Sequence, residues 1–182
     1  MSTSSRAALA LILMVVAGCT PRPLAASPTR APSVEALTAP TSTRVEEITF
    51  QSGEFTLVGD LRTPAGTGPF PVVLLVHGSG PIDRTFSGYY LPIMERMLRA
   101  GFAVFSWDKP GSGESTGVLG SRVYHQRAQI LLDAIEIMKA RPEIDPQRIG
   151  LWGISQASYV MPLALSQSED VAFMICVSCA GA

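Results

Sequence analysis

One serine in this chain stands where a serine can act as a nucleophile. Gly153-Ile154-Ser155-Gln156-Ala157 lies between a short apolar run, Ile149 to Trp152, and helix-forming sequence from Ser155 to Ser166. A chain that leaves a strand and turns sharply into a helix lifts the side chain at the turn clear of the strand's carboxyl end. Small residues two before and two after are needed, because the tight turn brings backbone and neighbouring elements close. Gly153 meets that need, while Ala157 stands where a second glycine is usual. The pentapeptide alone is equally compatible with a serine that only caps a helix.

A second motif favours chemistry. His77-Gly78-Ser79-Gly80 directly follows the apolar run Val72 to Val76. Backbone amides in a loop after such a strand, together with the amide after the nucleophile, can hold the negative oxygen of a tetrahedral intermediate, at roughly 3–4 kcal/mol for one donor. Ser79 N–H and Gln156 N–H are the candidate oxyanion-hole donors.

The elements that must position these groups follow from patterning. Val45 to Phe50 and Phe55 to Leu61 read as strands around Ser52-Gly53. Val72 to Val76 and Phe102 to Trp107 are continuous apolar runs, as expected of strands buried on both faces. Helices are expected from about Leu91 to Ala100 and Arg122 to Ala140, the second with Leu131, Ala134, Ile135 and Met138 on its buried face. A last strand runs from Val171 to Cys179. An opening hairpin followed by alternating strands and helices predicts an α/β three-layer sandwich with a mostly parallel sheet.

The motifs in order, His77 to Arg84 (HGSGPIDR), Asp108 to Ser115 (DKPGSGES) and Asp145 to Gln156 (DPQRIGLWGISQ), resemble the α/β-hydrolase superfamily. More narrowly, the chain from about Val45 is similar to bacterial esterases and peptidase-like members near the dienelactone hydrolases and serine aminopeptidases. That resemblance implies a serine hydrolase acting on carboxylic esters or peptides through an acyl-serine, with no metal and no organic cofactor. It gives Asp108 a structural role rather than a catalytic one. Pro162, inside the expected third helix, is a proline such hydrolases often carry, and it should kink that helix.

A serine hydroxyl needs a base to take its proton. In the resembled fold the order is Ser, then Asp or Glu, then His. After Ser155 there is no histidine, and the only acidic residues, Glu169 and Asp170, precede the next strand. His77 belongs to the oxyanion turn, and His125 opens a helix as a surface or capping residue. The reading is therefore an α/β-hydrolase fold incomplete on its C-terminal side, inactive alone for want of the triad acid and histidine. A non-catalytic α/β-hydrolase-like binding lipoprotein is the alternative. A dinucleotide-binding module built on Gly111 to Gly117 is a third, with the wrong spacing after its strand.

The remaining sequence bears on location. A polar start with Arg6 leads into the apolar run Ala7 to Val16, too short to span a bilayer. It ends at Val16-Ala17-Gly18-Cys19, which resembles a bacterial lipoprotein cleavage site. Residues 1–18 are thus expected to be a signal peptide, Cys19 a lipid attachment site and 19–44 a Pro/Ala/Ser/Thr-rich tether, ahead of a domain over 45–182. Such a protein is exported and faces the periplasm or cell exterior, with a membrane and a small ester or peptide as its partners. A net charge of -1 with no basic stripe argues against nucleic acid. Cys176 and Cys179 sit three apart in the expected last strand and so point to opposite faces, which predicts buried free thiols. No second Cys/His pair completes a metal site.

Overall fold

The computed structural model describes residues 43–179. The expected signal segment, Cys19 and nearly all of the tether lie outside the described residues. Within them, no helix is long and apolar enough to cross a membrane.

The chain opens with β1 (Arg44–Ser52) and β2 (Phe55–Thr63), an antiparallel pair. Their turn uses Gly53 at φ +55, a left-handed conformation that glycine adopts without steric cost. There follow β3 (Phe70–Val76), α1 (Leu91–Arg99), β4 (Ala103–Trp107), α2 (Val123–Lys139), β5 (Ile144–Ile154), α3 (Ala157–Leu165) and β6 (Val171–Val177). The six strands form one sheet in the order β1-β2-β4-β3-β5-β6. β4, β3, β5 and β6 pair in parallel, whereas β2 joins β4 antiparallel.

Alternation along the strands sorts side chains between two layers of helix. Leu74, Val76, Phe105, Trp107, Ile149 and Leu151 face α2 and α3, where they meet Leu131, Ile135, Met138, Val160 and Met161. Leu75, Val104, Trp152 and Ile154 face the other way, toward Tyr90, Met94 and Leu98 of the α1 region. The expected three-layer arrangement is present. β6 lies at one edge of the sheet with Met174 and Ile175 exposed.

Two elements differ from the sequence reading. β5 begins five residues earlier than the Ile149 expected, and runs through Pro146. Its pairing with β3 steps from Phe70–Ile144 to Val72–Ile149, so residues 145–148 bulge out of the ladder where a proline costs no hydrogen bond. The Asp145 carboxylate fastens this bulge to the Gln147 N–H and the Arg148 guanidinium.

The second correction concerns the cysteines. β6 stops at Val177, and Ser178 takes φ +51. That left-handed residue breaks the strand alternation and brings Cys179 beside Cys176, with Cα atoms 5.8 Å apart in a disulfide. Cys176 is exposed on β6. Buried free thiols are therefore the wrong description.

Candidate active site

β5 ends at Ile154 and α3 starts at Ala157, leaving Ser155 at the junction with φ +54. A non-glycine residue in that region costs free energy and is held there by its surroundings. Here the Ser155 N–H donates to the Val177 carbonyl of β6 (3.0 Å), and the Ser158 N–H donates back to the Ser155 carbonyl (2.9 Å). The serine side chain is exposed. Gly153 sits so close to α3 that a Cβ there would lie 2.6 Å from the Ala157 Cβ. One glycine of the usual pair is thus required, and the methyl of Ala157 occupies the space it leaves.

The His77–Gly80 turn packs directly on this junction. A Cβ at Gly78 would lie 3.7 Å from the Ser155 Cβ and 3.5 Å from the Ile154 carbonyl oxygen. The structure therefore brings Ser155, Ser79 and Gln156 together at the carboxyl ends of β3 and β5. Among the described residues, neither the Ser79 N–H nor the Gln156 N–H donates to a protein acceptor. Both amides are free for an incoming oxygen.

Two buried cations that sequence reasoning passed over grip the same turn. Lys109 Nζ donates to the carbonyls of Gly78 (3.0 Å) and Gly80 (2.6 Å). Arg127, from the second turn of α2, donates to the carbonyls of His77 and Gly78 and to the side-chain oxygen of Gln156. Each is only 5% exposed, and among the described residues neither forms an ion pair. Removing such charges from water costs several kcal/mol per ion. Hydrogen bonds to a charged donor, about 1.5–3 kcal/mol each, offset that cost. Burial, then the neighbouring Arg127 charge, pulls Lys109 down to about 8. Burial likewise lowers Arg127 to about 10, against the attraction of Tyr90 and Tyr124. The signal in the sequence was a cation on an apolar stripe: Arg127 precedes Leu131, Ala134 or Ile135, and Met138 at helical spacing.

His77 is no base for Ser155. It is 1% exposed, its Nε2–H donates to the Trp107 carbonyl (2.6 Å), and its ring stacks on Tyr90 at 5.3 Å. Burial drives its pKa down to about 3, against the Trp107 hydrogen bond, so the ring is neutral. Its role in the turn is packing and hydrogen bonding. His125 is exposed on α2, inside the helix whose cap is Arg122. Asp170 pairs with Lys139 (3.0 Å) at the start of β6, whereas Ser155 lies level with its end. Seven strand residues separate the two levels, roughly 23 Å at ~3.3 Å each. Among the described residues no side chain hydrogen-bonds the Ser155 Oγ.

Asp108 is structural, as expected. Its two carboxylate oxygens accept the backbone N–H groups of Arg84 (2.6 Å) and Glu114 (2.9 Å), tying the loops after β3 and β4 together. A Cβ at Gly113 would collide with that carboxylate, which explains the glycine in the Gly111–Gly117 loop without any nucleotide. Among the described residues, no cluster of His, Cys, Asp and Glu could hold a metal.

Residues 67–182 match the family described as serine aminopeptidase, S33. An Escherichia coli protein described as an uncharacterized 31.7 kDa protein of the traX-finO intergenic region is 35% identical over 111 residues. The match takes in 60% of this chain and 37% of that protein. The esterase EstD of Thermotoga maritima is 29% identical over 117 residues, 62% of this chain and 28% of the relative. The matched segments thus span 37% and 28% of these two curated relatives. Among solved structures, the Pyrococcus furiosus esterase Pf2001 superposes with a TM-score of 0.64 at 21% identity, covering 81% of this chain and 54% of that one. That likeness carries the fold, and the family match carries the relationship. With that family match running over residues 67–182, the chain belongs to the serine aminopeptidase S33 family of the α/β-hydrolases.

Proposed function

We propose that residues 45–179 form the nucleophile and oxyanion half of a serine hydrolase that cleaves carboxylic esters. The observation that carries this reading is Ser155 at φ +54 with the Gly78 turn in contact and two amides unoccupied. Ser155 Oγ bonds to the ester carbonyl carbon as a base takes its proton. The carbonyl electron pair moves to oxygen, where the Ser79 and Gln156 amides receive the charge. Collapse expels the alcohol, which takes up the proton, and water repeats the cycle on the acyl-serine.

The described residues supply no base, so the acid and the histidine are proposed to lie outside the 182 residues. The fraction of each relative's length that is matched supports this. Esters are favoured over peptides with a free amino terminus because the charges beside the site, Lys109 and Arg127, repel an ammonium group. The names of the esterase EstD and of the fungal thiohydrolase aneE, 28% identical over 115 residues, support acyl transfer from oxygen or sulfur.

The experiment is p-nitrophenyl acetate turnover by the pure 182-residue chain and its Ser155→Ala variant. The expected result is no appreciable turnover by either. Rapid turnover abolished in Ser155→Ala would show that a base is present after all. A second reading is a non-catalytic binding protein on the same fold. That reading predicts that no serine-directed reagent modifies Ser155.

For placement, we propose export and lipid anchoring through Cys19, supported by the Val16-Ala17-Gly18-Cys19 sequence. Metabolic labelling with an alkynyl palmitate in a bacterial host should mark the wild type and not Cys19→Ala. Equal labelling of the two would refute the anchor.

A further inference from the structure

We propose that Arg127 and Lys109 are positioning residues of the oxyanion hole: by holding the carbonyls of the His77–Gly80 turn on one side, they aim the Ser79 amide at the acyl oxygen on the other. The inference rests on the serine-hydrolase reading of Ser155 and extends it to what pre-organises its partners.

The argument starts from the peptide group. In a planar trans peptide the C=O and the next residue's N–H point in opposite directions. The Gly78–Ser79 peptide is trans, and its carbonyl takes hydrogen bonds from both Lys109 Nζ (3.0 Å) and Arg127 (3.4 Å). Two cations on one carbonyl fix its direction, so the direction of the Ser79 N–H is fixed as well. The preceding peptide shows the same logic. Its carbonyl, that of His77, is held by Arg127, while the Gly78 amide on its opposite end faces the Tyr90 hydroxyl. Gly80 completes the grip differently. Its carbonyl is held by Lys109, and the next residue, Pro81, has no N–H, so this contact fixes the turn without presenting another donor.

Arg127 also reaches the second donor. Its guanidinium bonds the Gln156 side chain, and Gln156 is the residue whose backbone N–H forms the other half of the hole. One side chain from α2 therefore ties the loop after β3 to the elbow after β5. A cation at the carbonyl end of a peptide polarises it, which strengthens the N–H as a donor. Charges with no carboxylate partner among the described residues leave a positive field where an oxyanion forms. A merely structural pair would be expected to be neutralised, as Arg84 is by Asp60, Glu47 and Glu114.

The test uses phenylboronic acid and the full 182-residue chain. The serine oxygen adds to trigonal boron and its proton passes to water, giving a tetrahedral anion that needs the oxyanion hole but no catalytic histidine. Boron-11 NMR counts tetrahedral boron, and near-UV circular dichroism confirms folding. The parent should form the adduct and Ser155→Ala should not. Arg127→Met and Lys109→Met should each weaken binding about tenfold, less than the 10²–10³ of removing a donor outright because the amide remains. Arg127→Lys should recover part of the loss, since it keeps the charge without the three-way reach. Should either cation variant fail to fold, Gln156→Met removes only the tether to Arg127 at a half-buried position, and about threefold weakening is expected. Serine-dependent binding within twofold of the parent in the folded Arg127→Met, Lys109→Met or Gln156→Met variants overturns the positioning role. No adduct in the parent, or an adduct that survives Ser155→Ala, overturns the serine reading instead.

Discussion

Replacing Gly153 by alanine probes how tightly the elbow is closed. The added Cβ would lie 2.6 Å from the Ala157 Cβ, and 2.6 Å and 2.7 Å from Cε and Sδ of Met161. Carbon atoms rest at about 3.5–4.0 Å, so the overlap is close to 1 Å. The Met161 thioether can swing aside, being unbranched and adaptable. The Ala157 methyl cannot, because it is fixed to the first turn of α3 and moves only with the helix. Overpacking of a dense interior costs about 1–3 kcal/mol, and Gly153→Ala belongs at the upper end of that range. Ala157→Gly alone removes one buried methyl, about 0.8 kcal/mol, with up to ~1 kcal/mol more for helix propensity. In the double variant the methyl–methyl collision is gone, so the costs should not add. A favourable coupling of about 1 kcal/mol is expected. Urea unfolding of the four proteins, followed by far-UV circular dichroism, measures it. A Gly153→Ala cost under ~0.5 kcal/mol, or additivity within ~0.3 kcal/mol, would refute the packing argument.

Three further outcomes are expected. His77 titrates at about 3 in the fold and near 6.5 when unfolded, so between those values the unfolded chain binds more protons. Its contribution to stability therefore falls as pH drops below 6.5, with a slope approaching about 1.4 kcal/mol per pH unit. Subtracting the stability of His77→Gln from that of the parent between about pH 6.5 and 4.5 should expose this slope, and a flat difference would contradict it. Asp108→Asn leaves one of the Arg84 and Glu114 N–H groups unsatisfied and should cost about 2 kcal/mol in urea unfolding. Less than ~0.5 kcal/mol would mean that the loops do not depend on the carboxylate. The Cys176–Cys179 disulfide closes a short loop around Val177, whose carbonyl holds the Ser155 N–H. Reduction should lower stability by about 2 kcal/mol. Mass spectrometry of the oxidised chain should find the two cysteines linked, and free thiols at both positions would refute the pairing.

What was legible in the sequence was whatever depends on neighbours along the chain. The elbow around Ser155, the glycine turn after β3 and the apolar runs of β3 and β4 are local patterns, and the fold keeps them. The structural role of Asp108 was readable only through the resemblance to the α/β-hydrolases. The contacts of Lys109 and Arg127 were not, because they join residues about 30 to 50 positions apart, and only the folded sheet brings those loops together. Arg127 did leave a trace, as a charge on the buried stripe of α2. The disulfide was misread for a definite reason. Strand alternation was carried two residues too far, past the left-handed Ser178. β5 extends beyond the apolar run that marked it, because the bulge at 145–148 lets Pro146 sit in the strand without a ladder N–H.

The claim on which the rest depends is that Ser155 is a nucleophile aimed into an oxyanion hole. Prolonged treatment of the 182-residue chain with a fluorophosphonate, followed by peptide mass spectrometry, tests it most directly. The phosphorus–fluorine bond breaks, fluoride leaves with the serine proton as hydrogen fluoride, and a phosphonyl-serine remains. The account predicts slow modification, without a base, confined to the peptide bearing Ser155 and abolished by unfolding in urea. Modification spread equally over other serines, or unchanged by unfolding, would contradict it.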